Sequence, residues 1–273
     1  MTPEPTTLLR LSQTQLNVLA ACPRKFQHLY LEQLGAPLIP DEQTRMQQGA
    51  QFHLLVQQWL LTLPIAPLVA SDPALHQWFD AFQGAAPDIL ALADPQAQRS
   101  PECDRTLEFQ GYLLTARYDL LLTTPHQAKI LDWKTYARPR DRRWLATNWQ
   151  TRLYPFILAE TSAYTPADIE LIYWFFQTPA GAPDTPQSLT FAYSAQQHEQ
   201  TRADLTQLLQ ALTVALHDYE QGQPLPDLPF GAESCNTCAF ARRCDRDPEP
   251  SANAPQAFPT PLPAWSEIEE IPL

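Results

Sequence analysis

Two strand-like runs joined by five residues constrain the fold of this chain more than any other feature of its sequence. The runs, residues 112–122 and 128–136, are rich in aliphatic and aromatic side chains, and the connection at 123–127 contains Pro125. So short a connection suits an antiparallel hairpin, because parallel strands need a crossover of about a dozen residues or more. Another strand-like run, residues 106–110, precedes the hairpin. The sequence therefore predicts three consecutive strands.

Helical patterns surround these strands. Ser12 and Gln15 have the spacing of a capping box, which predicts a helix that reaches Cys22. Apolar side chains at helical spacing predict further helices at about 46–61, 144–162 and 195–221, and two more strand-like runs lie at 169–177 and 188–193. This order predicts an α/β fold, with a mixed central sheet flanked by helices.

The domain organisation follows from length and from the placement of proline. A chain of 273 residues can form one large domain, which we assign to residues 1–246. Prolines interrupt residues 62–105, so we expect an insertion on the core there. Residues 247–273 are rich in proline and acidic side chains, and we expect a disordered tail.

Charge and hydrophobicity limit the classes of partner. No apolar run approaches the roughly 20 residues that cross a bilayer, and the N-terminus lacks the pattern of a secretory signal. We therefore expect a cytoplasmic protein that has no membrane partner. The net charge of -12 argues against nucleic-acid binding, but ions in solution limit the reach of a charge to about 8–10 Å. Local basic clusters can still contact phosphate groups.

Asp119, Asp132 and Lys134 form the first candidate site. Asp132 and Lys134 are two residues apart on a predicted strand, so their side chains share one face, and the hairpin brings Asp119 close to them. Their neighbours are apolar, and an unpaired charge at the edge of a core is costly. A hard divalent cation, Mg²⁺ or Mn²⁺, offers one reason to keep two carboxylates there, and the lysine would then assist the attacking water.

The structural alternative for Asp132 and Lys134 is a buried ion pair, which is the usual explanation of such a step on a strand. His53 alone is more often a satisfied helical histidine than a ligand, and polar pairs such as Gln150 and Tyr154, one turn apart, are frequent on helices. Together these residues follow a strand–turn–strand–helix order that is much less expected by chance.

The sequence resembles the RecB-family nucleases of the PD-(D/E)XK superfamily. The resemblance rests on four segments, Gly49-Ala50-Gln51-Phe52-His53, Arg117-Tyr118-Asp119, Ile130-Leu131-Asp132-Trp133-Lys134-Thr135 and Gln150-Thr151-Arg152-Leu153-Tyr154. Many members have glycine where this chain has Ala116, which is still a small residue.

The resemblance implies a restriction-endonuclease-like core and a role for each matched residue. His53, Asp119, Asp132 and the backbone carbonyl of Trp133 would bind the metal. Lys134 would be catalytic, and the matched Gln150 and Tyr154 would position DNA or the active site.

The cysteines form a second candidate site. Cys235, Cys238 and Cys244 stand in a polar loop with the spacing C-x2-C-x5-C, and Cys22 is the natural fourth ligand, whereas Cys103 falls in the predicted insertion. Four thiolates could hold zinc or a 4Fe-4S cluster. The resemblance to CRISPR-associated RecB-like exonucleases and to the nuclease part of AddB favours the iron–sulfur cluster. It would join the N-terminal helix to the C-terminal loop.

Basic residues supply candidate contacts to the DNA backbone. They are Arg24, Lys25, Arg138, Arg140, Arg142, Arg143, Arg242 and Arg243. Arg24, Lys25, Arg242 and Arg243 flank the proposed cluster ligands and would form one basic patch for phosphate contacts if Cys22 and Cys244 meet. The alternative is that these side chains are solvated charges of a loop without a role in binding.

The leading hypothesis is a Mg²⁺- or Mn²⁺-dependent deoxyribonuclease, an exonuclease on single-stranded DNA or DNA ends. It would act in DNA repair, recombination or CRISPR adaptation, with helicase, recombination or adaptation proteins as possible partners. The alternative is a non-catalytic iron–sulfur module of the same fold that binds DNA or serves as a scaffold. A radical or electron-transfer enzyme fits poorly, because the compact C-x3-C-x2-C spacing of radical enzymes is absent.

Overall fold

A computed structural model of the chain describes residues 8–35, 40–69, 72–91, 94, 96–137, 142–177 and 187–246. The predicted tail at 247–273 and the basic residues Arg138 and Arg140 lie outside the described residues. The chain divides into two compact units, Met1–Pro226 and Asp227–Leu273, so one domain over residues 1–246 stays a prediction. No helix in the described ranges is long and apolar enough to cross a membrane.

The first unit contains the sheet and the main helices. The strands are β1 (Arg10–Ser12), β2 (Gln98–Phe109), β3 (Tyr112–Thr123), β4 (Ala128–Ala137), β5 (Ile169–Gln177) and β6 (Gln187–Ala192). The helices are α1 (Gln13–Ala21), α2 (Pro23–Phe26), α3 (Pro40–Leu60), α4 (Ala66–Val69), α5 (Pro73–Ile89), α6 (Arg142–Thr147), α7 (Trp149–Glu160) and α8 (Ala195–Glu220). A π-helical turn covers Gln27–Leu31, and a 3-10 turn covers Pro166–Asp168.

The sheet is mixed, as the sequence predicts. Strand β3 pairs antiparallel with β2 along its length and with β4 through residues 120–123, while β1 runs parallel to residues 113–115 of β3. Strand β4 continues into a parallel pair with β5, and β5 pairs antiparallel with β6. The hairpin between β3 and β4 is therefore confirmed, and it occupies the centre of the sheet.

Helices cover both faces of the sheet, which gives a three-layer architecture. One apolar cluster joins alternate residues of β4 and β5, such as Ile130 and Leu171, to Phe156 of α7 and Leu209 of α8. The other joins Leu131 to side chains of α3 and α5. This arrangement matches the restriction-endonuclease-like core expected from the sequence.

Two details differ from the sequence-based prediction. Strand β2 begins at Gln98, so residues 98–105 of the predicted insertion are part of the sheet, and Cys103 lies on this strand opposite Tyr118. The helix predicted over 144–162 is two helices that break at Asn148. The Asn148 side chain caps α7, where it accepts the Gln150 backbone N–H and the side-chain amide of Asn17.

Candidate active site

The site forms where strands β3 and β4 separate. Their last paired residues are Leu120 and Leu131, and the next residues along each strand are Asp119 and Asp132. Here the Asp119 carboxylate replaces the missing ladder contact, because its Oδ2 accepts the backbone N–H of Trp133 at 2.6 Å. Both carboxylates are largely buried, so the folded chain holds two acidic groups at the opening between two central strands.

Helix α3 brings His53 to this opening from one side of the sheet. The Nδ1 atom of His53 lies 2.7 Å from the backbone carbonyl of Gly49, one turn earlier, and its Nε2 lies 3.2 Å from Asp119 Oδ2. The carbonyl contact favours a proton on Nδ1, which leaves Nε2 directed at the carboxylate. A Cβ atom at Gly49 would stand 3.1 Å from Thr135 Oγ1, so glycine allows the helix to approach β4 closely.

Helix α7 brings Gln150 to the same opening from the opposite face. Its amide donates to Asp132 Oδ1 at 2.5 Å and accepts from Lys134 Nζ at 2.8 Å. Lys134 Nζ also lies 2.6 Å from Asp132 Oδ2, which is an ion-pair distance. The angles of this contact fall outside those of a regular hydrogen bond. Gln150 therefore bridges the two charged groups that the strand presents.

Burial and mutual charge shift the pKa values of these groups. Burial lowers the pKa of His53, but the negative charge of Asp119 and its hydrogen bond outweigh burial and raise that pKa to about 9. Burial also raises the pKa of Asp132 to about 6, against the ammonium of Lys134, which lowers it. The charge of Asp132 in turn raises the pKa of Lys134 despite the burial of the amine. The site thus holds positive and negative groups that shift one another's pKa values.

Tyr154 supports the site from within the core. It lies one turn after Gln150 on α7, with its ring 5.2 Å from that of Tyr118. Its backbone carbonyl accepts the Tyr118 hydroxyl at 3.0 Å, and its own hydroxyl bonds the Arg117 backbone and the Gln150 side chain. Burial raises the pKa of the Tyr154 phenol. Tyr154 therefore fixes β3 against α7 beside the carboxylates.

An open pocket of about 350 Å³ gives access to these groups. It brings together the predicted residues His53, Asp119, Asp132, Trp133, Lys134, Gln150 and Tyr154. Its wall also includes four residues for which the sequence predicts no role: Gln13, Arg117, Thr135 and Tyr136. The spacing of Tyr136, two residues after Lys134 on one strand, is the signal that could have placed it here.

The donor chemistry of the pocket fits a hard divalent cation, since two carboxylates and an imidazole nitrogen face one opening. These atoms bond to one another, however, and the described residues include no group of three or more His, Cys, Asp or Glu side chains arranged to hold a metal ion. Asp132 Oδ2 is buried and pairs with the Lys134 ammonium, so a cation at this carboxylate would have to share or replace that contact.

The four candidate cluster cysteines are divided between the two compact units of the chain. In the first unit, Cys22 caps α2 and its Sγ accepts the Lys25 backbone N–H at 3.4 Å. In the second unit, Cys235 and Cys244 each end a short 3-10 turn. None of these cysteines, nor Cys238, forms a disulfide.

The predicted basic residues fall into several environments. Arg24 is used within the first unit, where its Nε donates to the Leu225 carbonyl at 2.6 Å. Arg142 lies over the Phe191 ring at 4.6 Å and donates to the Thr190 carbonyl. Lys25 is half-buried, and Arg143, Arg242 and Arg243 are exposed.

Comparison with known proteins agrees with this geometry. The model of the family described as the PD-(D/E)XK nuclease superfamily matches residues 10–245. The chain belongs to the PD-(D/E)XK nuclease superfamily. The assignment of Asp119 and of the Asp132-Trp133-Lys134 step to the motif of this superfamily stays a prediction. No curated protein matches the sequence.

Two solved structures are similar to this chain at low sequence identity. A crystal structure of a proposed exonuclease from Eubacterium rectale is 11% identical, with a TM-score of 0.51 over 83% of this chain and 86% of its own. A second structure, SSO0001, is 10% identical with a TM-score of 0.38 and covers 89% of each chain. The first likeness shows a shared fold alone.

Proposed function

We propose that this chain is a metal-dependent deoxyribonuclease that hydrolyses phosphodiester bonds in single-stranded DNA or at DNA ends. The observation that carries the proposal is the convergence of Asp119, Asp132 and Lys134 at the opening between β3 and β4. Membership of a nuclease superfamily supports the reaction class.

Asp119, Asp132, His53 and the Trp133 carbonyl would hold Mg²⁺ or Mn²⁺. When bound, such a cation supplies Lewis-acid stabilisation of the charge that develops on the phosphate. To admit it, the Asp119 carboxylate must turn from His53, whereas the Gln150 amide can keep Asp132 oriented through Oδ1. The position of Asp132 in the wall of the open pocket, beside Asp119 and His53, supports its assignment as a ligand.

Lys134 would act on the attacking water. Its ammonium has three donors, and in the described part of the chain two polar groups, Gln150 Oε1 and Asp132 Oδ2, lie within bonding distance. A third donor can reach a water or a phosphate oxygen in the pocket. Asp132 keeps the amine charged, so Lys134 would orient the water and stabilise negative charge rather than remove a proton.

The iron–sulfur site is a separate part of the proposal. We propose that Cys22, Cys235, Cys238 and Cys244 hold a 4Fe-4S cluster, with zinc as the alternative. The cysteine spacing supports it, and hydrogen bonds from Arg24 to the carbonyls of Leu225 and Pro226 hold the end of the first unit beside the turn that follows Cys22. The described residues include no assembled group of thiols, so no catalytic step is assigned to this cluster.

The biological setting is proposed from the resemblance alone. DNA repair, recombination and CRISPR adaptation in the cytoplasm remain the candidate settings, with helicase, recombination or adaptation proteins as candidate partners. Arg142, Arg143, Arg242 and Arg243 are the described arginines proposed to contact the phosphate backbone.

A cleavage assay tests the nuclease proposal. Purified full-length protein is incubated with 5′- and 3′-labelled single strands, blunt duplexes and closed circles, each with Mg²⁺, Mn²⁺ or EDTA. We expect metal-dependent loss of label from open single strands and ends, and no cleavage in EDTA. A protein that binds these DNAs without cleaving any of them would be a non-catalytic module of the same fold.

Elemental analysis and visible absorbance test the cluster on the same protein. Anaerobic purification should give a brown protein with iron and labile sulfide, and Cys238→Ser should remove both. A colourless protein with one zinc ion per chain would replace the cluster by zinc and would leave the nuclease proposal unaffected.

A further inference from the structure

Tyr136 is a large aromatic side chain that the fold leaves partly open at the pocket. It follows Lys134 on β4 and lines the same pocket as Lys134 and Asp132. Its exposed fraction is 40%, whereas Trp133 on the same strand is 2% exposed. No catalytic role in the proposed hydrolysis needs a phenol at this position, so the ring requires another explanation.

The ring of Tyr136 is held in place by the core. The buried Phe175 of β5 contacts it with ring centroids 5.8 Å apart and planes at 72°. An aromatic ring fixed in this way presents contact area at a small cost in side-chain entropy, because it has few rotatable bonds. The exposed part of the ring is therefore preorganised for contact with a ligand.

The neighbours of Tyr136 are suited to a nucleotide. Lys134 and Arg117 line the same pocket and can attract a phosphate, while Tyr136 adds a partly exposed aromatic ring to its wall. Stacking on an aromatic ring tolerates every base, because each base has a π-face. Within a duplex that face is already covered by the neighbouring bases, so a base that stacks on a protein ring must be unpaired and splayed from its strand.

We infer that Tyr136 is the platform on which an unpaired nucleobase beside the scissile phosphate stacks. This inference rests on the proposed nuclease function and narrows its substrate to strands that are single-stranded or frayed at the cleaved position. Tyr136 is thus a positioning residue, and Lys134 remains the catalytic one.

A coupling experiment with abasic DNA tests the inference. Single-stranded substrates carry one abasic nucleotide at successive positions around a defined cleavage site, and kcat and KM are measured for the wild type, Tyr136→Phe and Tyr136→Leu. For the wild type, we expect one position where the missing base lowers kcat/KM by about 5- to 150-fold, the range for a base–aromatic stack. Tyr136→Leu should show a similar loss on intact DNA and no further loss at that position.

The controls separate stacking from other roles. Tyr136→Phe should behave as the wild type, because the ring remains without its hydroxyl. Trp144, which is 57% exposed on α6, is the matched aromatic control, and Trp144→Leu should leave the sensitivity to the abasic position unchanged. Additive losses for Tyr136→Leu and the abasic nucleotide, or coupling at Trp144 instead, would overturn the inference.

The two proposals fail in different ways. Failure of the nuclease proposal would appear as intact DNA with the wild type under every metal condition. Failure of the stacking inference would appear as an active wild type whose kcat/KM is indifferent to every abasic position, or as equal activity of Tyr136→Leu on intact strands.

Discussion

Asp119, the first residue of β3 beyond its pairing with β4, accepts the backbone N–H of Trp133 through its Oδ2. This bond lets two central strands separate without leaving a buried donor unsatisfied. It also explains how helices on opposite faces of the sheet can supply one site, because His53 and Gln150 both reach the opening that it stabilises.

Asp119→Asn and Asp119→Ala should differ in stability but share the loss of activity. Asparagine keeps an acceptor for the Trp133 N–H, whereas alanine leaves that buried donor without one, at a cost of about 1–3 kcal/mol. We expect the free energy of unfolding in urea to be lower for the alanine variant by this amount. Equal stability of the two folded variants would show that the bond does not support the separation of the strands.

Gly49→Ala should lower activity more than stability. The new Cβ would meet Thr135 Oγ1 at 3.1 Å and push α3 away from β4, while alanine favours the helix by about 1 kcal/mol. Because His53 is on α3, we expect about a tenfold loss of kcat with near-wild-type unfolding. This is less than the roughly 100-fold that a 1 Å misplacement can cause, because a contact at 3.1 Å needs only a smaller shift.

A second substitution checks the cause of this loss. Adding Thr135→Ala should restore activity, because it removes the atom that the new Cβ meets. Gly84→Ala on α5 is the matched control, since its Cβ would meet nothing within 4 Å, and it should leave kcat unchanged. Failure of Thr135→Ala to rescue the double variant would contradict the proposed close approach.

Glu102→Gln should stabilise the protein when divalent metal is absent. Glu102 lies between Pro101 and Cys103 of β2, which pair with Leu120 and Tyr118 on either side of Asp119, and burial and the charge of Asp119 raise the pKa of Glu102. Two neighbouring carboxylates repel, so we expect a gain of about 0.2–1 kcal/mol in the free energy of unfolding in EDTA. Saturating Mg²⁺ should shrink the gain, because the cation would screen the repulsion.

Glu108→Gln on the same strand is the control for this prediction, because Glu108 faces Leu113 rather than an acid. It should leave the unfolding transition unchanged in both buffers. An equal gain in the free energy of unfolding from Glu108→Gln would show that the effect comes from the net charge of the protein.

Asp104 should compete with the DNA phosphate groups for the guanidinium of Arg117. Arg117 Nε lies 2.7 Å from Asp104 Oδ1, and both side chains are more than half exposed, so the pair contributes little to stability. Asp104→Asn should free the guanidinium for DNA and lower KM about threefold, within what an exposed ion pair of 0–1 kcal/mol allows. Arg117→Gln should raise KM and flatten its salt dependence by about one unit of slope.

The double variant decides between a local and a general effect. With Arg117→Gln present, Asp104→Asn should have no further effect on KM, since the competing guanidinium is gone. An equal fall in KM in both backgrounds would mean that Asp104 acts only through its negative charge on the whole surface.

The sequence predicts the centre of this fold well, for identifiable reasons. The hairpin between β3 and β4 follows from two long apolar runs and a short connection, and α8 follows from a long amphipathic pattern capped by Ser194. The pairing of Asp132 with Lys134 follows from their spacing of two on one strand. Local patterns of this kind do not depend on distant contacts.

Other features depend on contacts that local patterns do not encode. Strand β1 has three residues, Arg10–Ser12, and is defined by its pairing with β3. Tyr118 faces the cluster under α7, whereas Leu120 faces the cluster under α3 and α5, so the alternation along β3 shifts at Asp119. The electrostatic interaction of Glu102 with Asp119 and the role of Gln150 as a bridge likewise emerge only from tertiary packing.

Cleavage by a folded variant that lacks the charged pair tests the central claim most directly. Removing one partner alone would strand a buried charge at a cost of about 3–5 kcal/mol, so the variant of choice is the double Asp132→Asn, Lys134→Met. Its folding is checked by urea unfolding, and its single-turnover rate on labelled DNA is compared with the wild type in Mg²⁺, Mn²⁺ and EDTA. We predict metal-dependent cleavage by the wild type and a rate at least about 100- to 1000-fold lower for the folded double variant. Cleavage by that variant at the wild-type rate would contradict the assignment of Asp132 and Lys134 as the catalytic centre.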